Sequence, residues 1–181
     1  MKIMFASDIH GDYDCACATV DKYREEKAEK LIILGDILYH GPRNDLPEGY
    51  APKKVIELLN GVKNELACVR GNCDTDVDQM VLEFPILADY CIIPVGDRVL
   101  YATHGHKYNS EILPPLSKGD ILINGHFHVP KCQDKGDYIY MNCGSVSIPK
   151  EDSAHSYMVL EDNKFLWKDL ETKEVYKEFI L

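Results

Sequence analysis

The chain has 181 residues, 45% of them hydrophobic and 28% charged, with a formal net charge of -10. That length suits a single domain over residues 1–181 with a sizeable core, and the composition is that of an ordinary globular protein. The acidic balance disfavours a nucleic-acid duplex or an anionic membrane as partner, and no stretch approaches the ~20 apolar residues of a membrane span.

In chain order, residues 2–6 (KIMFA) read as a buried strand. This run breaks at Ser7, short of the roughly 7–15 apolar residues of a signal-peptide core, so a cytoplasmic location is expected. Residues 15–29 place apolar side chains at 16, 20, 23 and 28 among charges, the pattern of an amphipathic helix. Residues 31–34 (LIIL) form a second buried strand, and residues 38–51, rich in Gly and Pro, form a long loop. Residues 52–62 read as a helix with Pro52 near its first turn, and 66–69 as a third strand. This β-α-β-α-β series implies parallel strands with helices packed on them. The second half is strand-rich: 91–95, 98–103, 120–124, 138–142, 156–160, 165–170 and 175–180, with a hairpin turn at 161–164. A second, partly antiparallel sheet follows.

The 7 Cys stand at 15, 17, 68, 73, 91, 132 and 143. Their number is odd and no C-x-x-C occurs, which favours free thiols in a reducing compartment over a disulfide framework.

Five apolar runs each end in polar residues. They lead into Asp8 and His10, Gly35 and Asp36, Gly71 to Asp74, His104 to His106, and Gly125 to His128. Side chains just past the carboxyl ends of neighbouring parallel strands converge on one crevice. In D-x-H and H-x-H, alternate residues of an extended segment face the same way. Asp8, His10, Asp36, Asn72, His104, His126 and His128 thus form a mixed oxygen and nitrogen set, too large for one ion. The set suits two divalent metals bridged by a carboxylate, and its nitrogen content points to Mn, Fe, Co, Ni or Zn. Two divalent ions against two carboxylates and a hydroxide leave the site positive, suited to a phosphate anion.

Taken in order, D-x-H, G-D, G-N-x-D, H and G-H-x-H resemble the motifs of the calcineurin-like metallophosphoesterases. GNCD, THGHKY, NCGSV and the small size resemble their YfcE-like phosphodiesterase branch, over residues 1 to about 148. The resemblance implies an α/β fold, a four-layer αββα sandwich of two mixed sheets. It implies one metal on Asp8, His10 and His128, a second on Asn72, His104 and His126, and Asp36 between them. The cofactors would be two divalent ions, Mn foremost, with Fe, Ni, Co or Zn as alternatives. The reaction implied is hydrolysis of a small phosphodiester by a metal-bridging hydroxide, with Asp36, Asn72, Cys73 and His104 as catalytic residues. Many relatives carry His where this chain has Cys73. A thiol is a poorer acid for the leaving group, which favours diesters over monoesters.

Other residues carry two readings. Arg43, His40 and His106 could contact substrate, or sit on an ordinary solvated surface. Asn142, Gly144 and Ser145 could border the site or make a tight turn. Asp74 would orient His104 or Asn72. A phosphomonoesterase or nucleotidase is the alternative activity. A non-catalytic scaffold of the same fold, like the retromer's phosphoesterase-like subunit, is disfavoured because every ligand position is filled. Exposed strand edges suggest a homodimer or tetramer.

Overall fold

The structure is a computed structural model describing residues 1–181. Its strands are β1 (Lys2–Ala6), β2 (Lys30–Ile33), β3 (Leu66–Cys68), β4 (Cys91–Val95), β5 (Arg98–Ala102), β6 (Ile121–Asn124), β7 (Lys131–Asp134), β8 (Ile139–Asn142), β9 (Ser156–Glu161), β10 (Lys164–Asp169) and β11 (Val175–Ile180). Its helices are α1 (Tyr13–Glu26), α2 (Pro52–Asn60) and α3 (Asp76–Gln79). The helix expected from residue 15 begins two residues earlier because Asp12 caps it, its carboxylate accepting from the Cys15 amide. It ends where Lys27 turns left-handed at φ 54°.

The strands form two mixed sheets, as expected. One runs β11-β10-β9-β1-β2-β3 and the other β4-β5-β6-β8-β7. Within the first, β1, β2 and β3 are parallel, and within the second β5, β6 and β8 are parallel. The period-2 alternation of strand side chains divides each sheet between two environments. From β1, Met4 and Ala6 join Val20 and Tyr23 of α1 and Val55 and Leu59 of α2 in the helical layer's core. Ile3 and Phe5 point the other way, to meet Leu100, Ile121, Ile123 and Met141 between the sheets. Apolar burial on both faces explains why β1 and β2 read as unbroken apolar runs. The outer face of the second sheet is covered by irregular chain, with Leu116 packed against Leu122, Tyr138 and Tyr140. Pro114, Pro115 and Gly119 keep that cover from becoming a helix.

Two elements lie outside the sequence reading. The strand β7 (KCQD) is a polar edge, paired only to β8, and shows no apolar run. The four-residue α3 is a single turn held by a capping box between Thr75 and Asp78.

Candidate metal centre

The parallel strands of both sheets end at the same edge of the sandwich. From β1 come Asp8 and His10, from β2 Asp36, from β3 Asn72 and Cys73, from β5 His104, and from β6 His126 and His128. All seven expected ligands lie on these five loops. Asp8, His10, Asp36, His126 and His128 have φ between 51° and 62°. This left-handed backbone costs non-glycine residues of order 1–3 kcal/mol each and collects at functional sites. The loops also cross closely. A Cβ on Gly71 would overlap the Asp36 carboxylate, so only glycine lets the third loop pass over the second.

Three histidines are held the same way. The Nδ1–H of His10 donates to the Tyr39 carbonyl (2.8 Å), that of His104 to the Leu34 carbonyl (2.7 Å) and that of His128 to the Ile148 carbonyl (2.6 Å). A carbonyl only accepts, so each bond fixes the tautomer and turns the Nε2 lone pair to the centre. His10 Nε2 lies 3.4 Å from His128 Nε2, and Asp8 Oδ1 lies 3.2 Å from the latter. Asp8 Oδ1 is buried and has no hydrogen-bond partner. A buried carboxylate oxygen and two imidazole nitrogens converging without a shared donor are suited to a cation.

The second group is similar. His104 Nε2 sits 3.0 Å from Asn72 Oδ1 and 3.4 Å from Asp36 Oδ2, and His126 Nδ1 sits 3.2 Å from the same His104 nitrogen. His126 therefore faces inward through the other ring nitrogen. Asp36 Oδ2 also lies 3.8 Å from His10 Nε2, which puts this carboxylate between the two groups. Ligand atoms of Asp8, His10 and His128 lie within 4.8 Å of one another, as do those of Asp36, His104 and His126. The donor set fits two divalent ions sharing Asp36.

The charges agree. Burial works against the Asp8 carboxylate, yet the neighbouring His10, His128 and His104 imidazoles outweigh it and hold its pKa well below the ordinary range. Burial lowers His104, but the Asp36 hydrogen bond and the Asp8 and Asp36 charges raise it to about 9. Burial and the His104 charge push His126 down to about 4, leaving it a neutral ligand.

Asp74 does not orient His104 or Asn72 as expected. Its Oδ2 accepts from the amides of Asp36 (2.8 Å) and Gly71 (2.7 Å), and its Oδ1 from that of Ile37 (2.9 Å). Burial raises its pKa while these three donors pull it down. The carboxylate clips the loop after β2 to the loop after β3. Asn142 and Ser145 border the site by the same kind of work. The Asn142 amide donates to the Gly125 carbonyl (2.6 Å), and the hydroxyls of Ser145 and Ser147 donate to the Asp8 carbonyl (3.0 and 2.7 Å). Beneath them Trp167 Nε1 donates to the Asn142 carbonyl (2.7 Å).

The ligands open into a polar cleft of about 400 Å³ that Arg43, Asn44, Cys73 and Lys150 also line. Arg43, for which the sequence left substrate contact and a solvated loop both open, lines this cleft. Lys150 was missed, because it follows no motif and reaches the cleft only through the fold. His40 is not brought to the cleft. Its ring packs edge-on to Tyr39 and Tyr50, at 4.8 and 5.5 Å between centroids. His106 lies 5.4 Å from the His104 ring but lines a separate cleft of about 270 Å³, on the far side of His126 and Phe127. Cys73 is buried. Its amide donates to Asp36 Oδ1 (2.8 Å) and its Sγ accepts from the Asn72 amide (3.2 Å), which leaves Asn72 Oδ1 facing the centre. Burial first, then the Asp36 charge, pushes the Cys73 thiol far up.

Comparison with known proteins bears on the same residues. The family model described as the calcineurin-like phosphoesterase superfamily domain matches residues 1–164. Phosphodiesterase YfcE of Escherichia coli strain K12 is 47% identical over 163 residues, 90% of this chain and 89% of that protein. The solved structure of the E. coli phosphoesterase YfcE has a TM-score of 0.96 at 43% identity, covering 99% of each chain. Vps29 of Entamoeba histolytica, solved in complex with zinc, has a TM-score of 0.62 at 18% identity over 99% of each chain, a likeness of fold alone.

Proposed function

The chain belongs to the calcineurin-like phosphoesterase superfamily, and on that premise we propose that it is a metal-dependent phosphodiesterase acting on small phosphodiesters at a binuclear centre. One observation carries the proposal: Asp8, His10 and His128, and Asp36, His104 and His126, form two ligand groups in one cleft with Asp36 between them. The name of its 47% identical relative, a phosphodiesterase, supports the reaction class. Asn72 Oδ1 completes the second group. The nitrogen-rich set suits Mn, with Fe, Ni, Co or Zn as alternatives.

Divalent ions held there would activate water at neutral pH and offset charge on the phosphoryl oxygens. The protein's part is positioning. The three carbonyl-anchored imidazoles fix ligand direction before any ion arrives. Arg43 and Lys150 bring positive charge to the cleft of an acidic protein and draw the phosphate anion in. Burial raises the Cys73 thiol's pKa, which makes it a weak proton donor for a leaving group. The site therefore favours esters whose leaving group departs without protonation, such as aryl diesters.

The test is hydrolysis of an aryl phosphodiester with Mn present. Asp36→Asn and His126→Ala each abolish it, and full activity in both purified variants would refute the proposal. A second reading, phosphomonoester hydrolysis, has one observation in its favour. Arg43 and Lys150 together offer more positive charge than a singly charged diester needs. Turnover of the matching aryl monoester decides between them.

A further inference from the structure

Beside the polar cleft lies a second cavity of about 400 Å³ with a different lining, formed chiefly by Leu38, Tyr39, Tyr50, Ile56, Val77 and Val81. The reaction as described leaves it unused. Cys73 lines both cavities, so the buried thiol is their common wall. Its Sγ lies within 4.8 Å of ligand atoms of His10 and Asp36. A phosphoryl group among the ligands is thus one side chain away from the apolar groove.

The groove is anchored to the metal ligands. Tyr39 gives its ring to the groove and its carbonyl to His10 Nδ1. Cys73 gives its side chain to the groove and its amide to Asp36. The wall and the ligands are therefore joined by hydrogen bonds. Val77 and Val81 stay 69% and 43% exposed at the groove's outer side, and Tyr39 43%. An open apolar surface of this kind next to a catalytic cleft marks a place where ligand is buried. Two tyrosine rings suit a flat partner.

We propose that this groove binds a planar aromatic ring on one ester arm of the substrate, with Cys73 as the threshold between phosphate and ring. The substrates would be aryl- or nucleobase-bearing phosphodiesters rather than alkyl ones. This rests on the phosphodiesterase reading, and its test does not require turnover.

Binding of phenylphosphonate and methylphosphonate to the Mn-loaded protein, measured by calorimetry, compares one anionic head with two arms. The wild type binds the phenyl compound ~10-fold tighter, as burial of most of an aromatic ring implies. In Val77→Asn/Val81→Asn, two changes at the exposed side of the groove that leave the charge unaltered, that ratio falls towards one while methylphosphonate affinity holds. Equal affinities in the wild type, or an unchanged ratio in the variant, overturn the proposal. So does a change of sedimentation in the variant at constant ratio, which assigns the groove to contact between copies. Thymidine 5′-phosphate separates the two ring sources: tighter binding than phenylphosphonate supports a nucleobase, weaker binding an aryl group. Loss of all diester hydrolysis with the phenyl preference intact refutes the reaction and spares the groove.

Discussion

Replacing Asp74 tests how the centre is built. Its carboxylate accepts three buried backbone N–H bonds, two at Oδ2 and one at Oδ1. Asp74→Ala leaves all three donors unpaired away from water. Each orphaned donor costs about 1–2 kcal/mol, so the sum is roughly 3–6 kcal/mol. That is a large share of the ~5–15 kcal/mol that holds a domain folded. At ~2–4 °C per kcal/mol for a chain of this size, the melting temperature falls by at least about 6 °C. Asp74→Asn keeps the shape and one acceptor, and sets an amide against the Ile37 N–H. The cost is about 2 kcal/mol, with a melt ~4–8 °C lower. The donors belong to the loops that carry Asp36 and Asn72, so diester turnover falls ~10–100-fold in this folded variant. Thermal melting followed by calorimetry, with kcat and KM for an aryl diester, reads both effects. An Asp74→Ala protein that melts within about 2 °C of the wild type and turns over normally would refute the clip.

Arg43→Ala and Lys150→Ala each raise KM for a diester ~2–5-fold with kcat nearly unchanged, and added salt shrinks the difference; a fall in kcat alone contradicts their role in drawing substrate. Cys73→His supplies a proton donor and raises monoester turnover relative to diester ~10-fold or more, seen by assaying both esters side by side; an untouched ratio removes the argument from the thiol. Glu26 is half-buried, its carboxylate paired with Lys2 and Lys168 and accepting from the Tyr157 hydroxyl. Burial raises its pKa, but these partners outweigh burial and lower it. A lowered carboxyl contributes stability above the unfolded value near ~4.3 and loses it as pH falls through the folded value. Acid melts of Glu26→Gln should therefore lose less stability than the wild type below about pH 4.5, and parallel curves would contradict the pairing.

The site was legible because each ligand pair is local. D-x-H and H-x-H put two donors on one loop, and the apolar run before each loop fixed its place at a strand end. Parallel topology did the rest, by bringing five such ends to one edge. What stayed hidden depends on distant chain. Asp74 serves amides 37 and 38 residues upstream as well as Gly71 beside it, and no spacing rule announces that. Lys150 reaches the cleft from a turn that carries no motif. His40 sits in the predicted loop, yet its neighbours Tyr39 and Tyr50 take its ring. In the fold, β7 was missed for lack of an apolar face. Its pairing comes from β8, whose own run was plain to read.

The sole tryptophan of the chain is Trp167, fully buried in the core between the sheets and bonded to the Asn142 that steadies the His126 loop. The molecule therefore carries its own fluorophore at an informative address. Its emission follows the union of the two sheets, whereas circular dichroism at helical wavelengths follows α1 and α2. If the helical layer loosens before the sandwich opens, the two signals part company during a denaturant titration. The two probes together then date the opening of the sandwich separately from the loss of its helical cover.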